Sequence, residues 1–319
     1  MADSANAYHH LFGPVPSRRL GRSLGIDLVP FKTCSLNCIY CECGATTRLT
    51  IKRAAWVDID AVKAELCHYA AGGPVPDTLT FSGSGEPTLH SDLGEMIAFS
   101  RQTLPDIPVA LLTNGTLFDD PQVRQDAAQA DIVLPSLDAA TQSAFRAINR
   151  PHPKLDLQRI IDGLVAFREQ YNGQIWLEIF ILDGINNHPQ DLQALATAVH
   201  RIRPDRVQLN SMHRPGTLPG LVAASPEVLA AAARALDYPA VELIGPSATP
   251  TATGDAPADL QNAVLELVRR RPCSIDDISR GLNAHPNAVR KTVFHLLDHN
   301  LLKSLQQDGQ TLYCLSERR

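Results

Sequence analysis

Between Leu24 and Asn210 short β-rich runs alternate with stretches of helical spacing. That rhythm restricts the chain to parallel strands joined by crossover helices. Candidate strands are residues 24–29, 78–82, 109–113, 132–137, 175–181 and 206–210. Between them, Leu157, Ile160, Ile161, Leu164 and Phe167 make one apolar helical stripe, and Leu192, Leu195, Ala196, Val199 and Ile202 make another. Strands covered by such helices should read as continuous apolar runs, as Val109-Ala110-Leu111-Leu112 and Ile132-Val133-Leu134 do. The fold class is therefore α/β. Roughly six strand and helix units point to a partial (β/α)6 TIM-type barrel, with a doubly wound sheet as the other arrangement.

The chain has 319 residues, enough for about two domains. Its texture changes near Leu243, where Gly245-Pro246-Ser247-Ala248-Thr249-Pro250 begins a stretch too polar and too rich in Pro and Gly to pack. This divides the chain into a barrel domain over 1–243, a linker over 244–257 and a small domain over 258–319. In the last part Leu260, Val264, Leu267 and Val268 share a helix face. Ser274 caps a short helix that Gly281 ends, and Pro286 opens another. Asp308-Gly309 then marks a hairpin turn between residues 301–305 and 311–315. Three helices and a two-stranded ribbon are the order of a winged helix-turn-helix module. Asn287, Arg290, Lys291 and His295 would project from its recognition-type helix. From Asp259 onward nine basic residues face seven acidic ones, a surplus too small for strong phosphate-driven binding. Nucleic acid and protein are thus both open as partners of this module.

Hydrophobic residues make up 44% and charged residues 20%, the balance of a packed globular chain. A net charge of -5 gives no global attraction to nucleic acid or anionic membrane. No apolar run approaches the length of a membrane span, and Met1 to His10 lack a secretory pattern, so no membrane partner and a cytoplasmic location are expected.

Four of the seven cysteines, Cys34, Cys38, Cys41 and Cys43, crowd into one segment after the first candidate strand. Such crowding suits metal ligation better than a disulfide scaffold. Cys34, Cys38 and Cys41 recur at spacings of four and three, which lets one loop wrap a cubane cluster. Three thiolates leave one of its irons an open position. Zinc is the competing metal, with Cys43 close by as a fourth thiol, although no second paired knuckle follows. Cys67, Cys273 and Cys314 read as small core residues.

Active sites on β/α barrels lie at the carboxyl ends of strands. There the chain places Ser82-Gly83-Ser84-Gly85-Glu86-Pro87, whose small residues permit close backbone approach and whose carboxylate suits an ammonium group. Thr113-Asn114-Gly115, Ser136-Leu137-Asp138, Asp183-Gly184-Ile185-Asn186-Asn187 and Gln208-Leu209-Asn210 bring further polar groups to the same rim. Glu178 stands alone as a carboxylate in an apolar strand. His213 and Arg214 are candidates for an anionic substrate or for plain surface. Arg18, Arg19 and Arg22 sit among turn formers over 13–23, as an anion clamp or a solvated basic loop.

Cys34-x3-Cys38-x2-Cys41, with Tyr40 before the third cysteine, resembles the signature of the radical S-adenosylmethionine (SAM) superfamily. Ser84-Gly85-Glu86-Pro87 is similar to that family's GGEP motif, with Ser84 in place of the first glycine. The resemblance implies a 4Fe-4S cluster on Cys34, Cys38 and Cys41, with SAM chelated at the open iron. It implies cofactor contacts from Tyr40, Ser84, Gly85, Glu86, Pro87, Thr113, Asn114, Gly115, Ser136, Asp138 and Asn186. It also implies an electron donor such as flavodoxin or ferredoxin, and a substrate that is a tRNA base, a peptide or a small metabolite. Residues 13–23, Cys41-Glu42-Cys43-Gly44 and Leu209-Asn210 look like the wybutosine-synthesis branch. A DNA-binding regulator that senses redox state through an Fe-S cluster is the opposing reading; it leaves the strand-end residues without a use.

Overall fold

The central strands form where apolar and β-branched residues run together, and six helices begin where the side-chain oxygen of Asp58, Asp120, Thr141, Asp156, Ser225 or Ser274 accepts from a first free backbone N–H group. The structure, a computed structural model, describes residues 8–213, 216–218, 220–244, 260–282, 284–307 and 310–316. In chain order come β1 (Leu11–Ser17), β2 (Gly21–Ile26), β3 (Thr33–Cys34), β4 (Arg48–Leu49), α1 (Ile59–Gly72), β5 (Thr78–Phe81), α2 (Leu93–Thr103), β6 (Val109–Thr113), α3 (Pro121–Ala127), β7 (Ile132–Pro135), α4 (Gln142–Asn149), α5 (Leu157–Gln170), β8 (Gln174–Phe180), α6 (Pro189–Ile202), β9 (Arg206–Asn210), α7 (Pro226–Leu236) and β10 (Val241–Leu243). There follow α8 (Leu260–Arg270), α9 (Ile275–Gly281), α10 (Pro286–Asp298), β11 (Leu302–Gln307) and β12 (Gln310–Leu315).

One sheet runs in the order β1-β2-β5-β6-β7-β8-β9-β10, with β1 antiparallel to β2 and every later pairing parallel. The six expected strands are present, and β10 adds a short seventh parallel strand at the edge, pairing Val241 with Val207 and Leu243 with Leu209. This curved, open sheet with crossover helices is the α/β partial barrel expected from the sequence. The segment around Arg18 to Ser23, read as a loop, is instead the β1-β2 hairpin. Pro14 and Pro16 fit because β1 is an edge strand, where a missing N–H disrupts no central pairing.

Period-two alternation sorts the side chains. Val109, Leu111, Val133, Ile175, Leu177, Val207 and Leu209 join the main core with the helix stripes of α5 (Leu157, Ile160, Ile161, Leu164, Phe167) and α6 (Leu192, Leu195, Val199, Ile202). Ala198 is buried in α6, while Ala196 is only partly covered. On the opposite face Leu20, Ala110 and Leu134 cluster with Leu112, Ile132 and Trp176, which fills part of the barrel interior. Above them Arg19 pairs with Glu178 at 2.5 Å and donates to Gln208 at 3.2 Å. Glu178, the lone carboxylate of its strand, is therefore a charge partner. Arg22 pairs instead with Asp77 at the exposed edge.

The C-terminal elements bury a separate cluster that includes Val264, Val268, Ile278, Val289, Val293, Leu296, Leu302 and Tyr313. Ser274 and Asp277 form a capping box at the start of α9. β11 and β12 pair antiparallel. Asn287, Arg290, Lys291 and His295 are exposed on α10, beside Phe294. Cys273 and Cys314 are buried as expected, but Cys67 is exposed, because its position next to Leu66 turns it to the outer side of α1. Arg214, the Asp308-Gly309 turn and residues 245–259 lie outside the described residues. No helix among the described residues is long and apolar enough to cross a membrane.

Candidate active site

The cysteine segment leaves β2 and is pinned from several sides. β3 pairs with β4, closing the loop on itself. Asn37 N donates to the carbonyls of Asn149 and Arg150 at 3.0 and 3.2 Å, Ile39 N donates to Ile148 O, and His152 N donates to Ser35 O. Thr46 Oγ1 donates to Leu36 O at 2.7 Å, and Thr217 Oγ1 donates to Ile39 O at 2.8 Å. A loop tied this way presents its thiols in a fixed arrangement.

Each of the three sulfurs meets a nitrogen donor. Asn114 Nδ2 lies 3.5 Å from Cys34 Sγ, Asn149 Nδ2 lies 3.4 Å from Cys38 Sγ, and Lys32 Nζ lies 3.0 Å from Cys41 Sγ. Burial, then the Glu86 carboxylate, pushes the Cys34 thiol up to about 11. Burial and Asp138 push Cys38 well above the ordinary thiol range. Cys41 goes the other way, held low by a hydrogen bond from the Cys43 thiol and by the Lys32 ammonium, and Cys43 rises in consequence. Buried sulfurs facing carboxylates need a positive countercharge to ionise, which an iron-sulfur cage supplies. In this respect the residues fit a cluster. No group of three His, Cys, Asp or Glu among the described residues is arranged to hold a single metal ion, whereas a cubane gives each thiolate its own iron.

The strand ends converge on this loop. Glu86 is 2% exposed; its Oε1 accepts from Thr88 N, Thr88 Oγ1 and Thr113 Oγ1 at 3.0, 2.6 and 2.6 Å, and its Oε2 accepts from Asn114 N at 2.7 Å. Burial holds its carboxyl above the usual range despite these donors. It therefore stitches the β5 and β6 loops together. Pro87 starts the short 3-10 turn that Glu86 caps. Gly85 packs so tightly that a Cβ would lie 2.3 Å from Thr33 O, which is why a larger residue does not fit. Ser84 donates through N and Oγ to Asp27 Oδ2 at 3.1 and 3.2 Å, and its carbonyl accepts from Lys32 N. Gly115 turns the β6 loop at φ 70°.

Asp138 organises the next strand end. Its Oδ2 accepts from Tyr40 OH and Asn149 Nδ2, both at 2.6 Å, and its Oδ1 accepts from Phe180 N at 2.9 Å. Burial nevertheless lifts its carboxyl to about 6. Tyr40 stacks on Phe180 with ring centroids 3.9 Å apart. Asn186 is fully buried and spends its amide on the carbonyls of Asp138 and Phe180 and on Leu182 N. It shapes the turn and does not line the cavity. That cavity is bounded by Cys38, Tyr40, Asn114, Ser136, Asp138 and Asn149, among others. Lys32, Ser35, Asp27 and Asn149 are participants that the sequence reading did not single out. Only Lys32 carried a signal, its place two residues before Cys34.

A sequence model described as the radical SAM superfamily matches residues 28–196, the stretch that holds the cysteine loop and the strand ends above. The chain belongs to the radical SAM superfamily and is an enzyme of that class, whose cofactors are a 4Fe-4S cluster and SAM. The chain is similar to a UPF0026 protein of Helicobacter pylori, 30% identical over 306 residues, with 95% of this chain and 97% of that protein covered. It is also similar to a Brachyspira hyodysenteriae protein named GTPase Obg, 33% identical over 307 residues, which cover 96% of this chain but only 45% of that protein. The chain thus spans less than half the length of the Brachyspira relative. Among solved structures, a radical SAM methyltransferase from Sphaerobacter thermophilus superposes with a TM-score of 0.52 at 15% identity, over 69% of this chain and 65% of that one, a likeness of fold.

Proposed function

We propose that this protein cleaves SAM reductively and uses the resulting radical to abstract hydrogen from a substrate, a tRNA base, a peptide or a small metabolite. The observation that carries the reading is the set of three half-buried sulfurs on one pinned loop, each with its own nitrogen donor, facing strand ends that are tied to that loop. Cys34, Cys38 and Cys41 would hold the cluster. A cluster held there would supply the one-electron reduction that cleaves the SAM sulfonium.

The chain's own part is positioning. Asn114, Asn149 and Lys32 direct N–H groups at the sulfurs, which steadies the added negative charge. Ser84 and Gly85 bring backbone close to the cysteine loop, while Glu86 holds that backbone in place and Pro87 fixes its exit. Thr113 and Gly115 hold the end of β6 in place, Asn114, Ser136 and Asp138 on the cavity wall would meet the ribose and amide-accepting groups of SAM, and Asn186 supports Asp138 from behind. Tyr40, stacked and hydrogen-bonded, walls the cavity.

The domain division follows the same reading: a barrel over 1–243, a linker over 244–257 and a winged helix module over 258–319 that receives nucleic acid or protein. Exposed Arg290, Lys291 and Phe294 on one helix support that role. The test is anaerobic reconstitution with iron and sulfide, followed by SAM and dithionite. 5'-Deoxyadenosine should form, and Cys38→Ala should abolish it. A specific DNA footprint without SAM cleavage would favour the redox-sensing regulator instead.

A further inference from the structure

Ser84 is gripped from two sides. Its carbonyl accepts from Lys32 N at 3.0 Å, on the side of the cysteine loop, and its N and Oγ donate to Asp27 Oδ2 at 3.1 and 3.2 Å on the other. Gly83, just before it, passes so close over the same carboxylate that a Cβ would lie 2.3 Å from Asp27 Cγ. The placing of the Ser84-Gly85 backbone therefore depends on where the Asp27 carboxylate sits and on how many hydrogen bonds it can accept.

What fixes Asp27 comes from far along the chain. Arg270, in the last turn of α8, approaches Asp27 Oδ2 at 3.3 Å, with the two side chains only 23% and 12% exposed. Among the described residues it is the one cation paired with Asp27, and Asp27 Oδ1 has no hydrogen-bond partner among them. The guanidinium is seated as well as attracted. It lies 3.9 Å from the centre of the Phe12 ring, and that ring covers Gly25 of β2 so closely that a Cβ there would meet it at 2.0 Å. The next residue, Arg271, lies 3.8 Å from Glu42. Burial works against the Asp27 charge, and Arg270 sustains it. Without the cation a buried carboxyl takes up a proton, and a protonated oxygen loses acceptor capacity that Ser84 uses twice. Both Asp27 and Arg270 lie outside residues 28–196, the stretch common to the superfamily.

We propose that Arg270 is a positioning residue of the SAM site: acting through Asp27, it fixes the Ser84-Gly85 backbone against the cysteine loop, so that the C-terminal elements contribute to SAM binding. The assignment rests on the radical SAM reading above. Arg270 is not among the residues that wall the cavity beside Tyr40 and Asp138, so it acts at one remove. Its effect falls on affinity for SAM and spares the cysteines, whose own nitrogen donors Asn114, Asn149 and Lys32 stay in place. A contact that merely docks the C-terminal elements would change stability and leave SAM affinity alone.

The experiment uses the full chain, anaerobically reconstituted, as wild type, Arg270→Ala, Arg270→Gln, Arg270→Lys and, as a charge control on exposed β11, Lys303→Ala. SAM Kd is read by calorimetry, and 5'-deoxyadenosine formation with dithionite gives KM and kcat. Hydrogen exchange followed by mass spectrometry reports on residues 82–88. Arg270→Ala should raise Kd and KM for SAM at least tenfold and speed exchange over 82–88 at least tenfold. Iron content, kcat and exchange over 157–170 should stay within twofold of wild type. Arg270→Gln fills the same slot without the charge and should behave like Arg270→Ala, which keeps the test decisive if the alanine variant does not fold. Arg270→Lys restores the charge and should recover most of the affinity. Unchanged Kd in the folded neutral variants, weaker SAM binding with unchanged exchange over 82–88, an equal loss in Lys303→Ala, or a loss of iron and kcat at unchanged Kd would each overturn the assignment. If the wild type binds no SAM and forms no 5'-deoxyadenosine while exchange over 82–88 still quickens in the neutral variants, the radical SAM reading falls and the path from Arg270 to Ser84 stands.

Discussion

Arg270, in the last turn of α8, lies 3.3 Å from Asp27 Oδ2, and its guanidinium carbon sits 3.9 Å above the centre of the Phe12 ring. The same Asp27 oxygen accepts from Ser84 N and Ser84 Oγ, so a residue of the C-terminal elements bears on the loop that carries Gly85 and Glu86. Its neighbour Arg271 lies 3.8 Å from Glu42, the residue between Cys41 and Cys43. Two consecutive arginines thus connect the C-terminal elements to both loops around the cysteines.

Removing that connection should be measurable. Burial already raises the Asp27 carboxyl, and its Oδ1 has no partner among the described residues, so Arg270→Ala leaves a buried carboxylate with less compensation. We expect a loss of about 1–3 kcal/mol in urea unfolding. Asp27→Asn in the Arg270→Ala background should recover part of it. Additive losses in the double-mutant cycle would show that the two side chains do not act together.

Glu86 should be the most costly single truncation among the strand-end residues. Glu86→Ala leaves Thr88 N, Thr88 Oγ1, Thr113 Oγ1 and Asn114 N without their acceptor in a site that water barely reaches. The expected cost is about 3–5 kcal/mol, together with a lower iron content after reconstitution. Wild-type stability and iron content would mean that the β5 and β6 loops hold together by other means.

Acid stability should report the Arg19 and Glu178 pair. Burial alone would raise the Glu178 carboxyl, but Arg19 and Asn210 outweigh it and hold it below the ordinary glutamate range. A carboxyl depressed in the folded state contributes stability that is complete above the unfolded value of about 4.3 and is lost as pH falls through the folded value. Glu178→Gln should therefore cost about 1–3 kcal/mol at neutral pH and flatten the fall in stability below about pH 4.3. An acid limb as steep as that of the wild type would show that Glu178 is not its source.

Asn149 bears on the cluster electronically. An amide N–H to a thiolate sulfur favours the more negative, reduced state. Asn149→Ala should lower the cluster potential by about 40 mV, the one-electron equivalent of about 1 kcal/mol of differential hydrogen bonding. An unchanged potential in an anaerobic redox titration would mean that the 3.4 Å contact has no influence on the cluster.

Features were legible in the sequence where the physics is local. Apolar runs such as Val109 to Leu112 announce buried parallel strands, Ser274 announces a helix start, and the spacing of Cys34, Cys38 and Cys41 announces a cluster. β1 was hidden because Pro14 and Pro16 signal a turn unless the strand is known to lie at an edge. β10 was hidden because three residues before Gly245-Pro246 carry no periodicity. Asn149 and Arg270 were out of reach for another reason. Their partners Cys38 and Asp27 lie 111 and 243 residues away in sequence, and only the folded sheet brings them together.

The most direct measurement is electron paramagnetic resonance on the anaerobically reconstituted, reduced protein before and after SAM is added. A cubane held by three thiolates has an iron free to accept the amino and carboxylate groups of SAM, so the account predicts a reduced-cluster signal whose g values shift on SAM addition. A signal indifferent to SAM, or protein that retains only zinc, would contradict it.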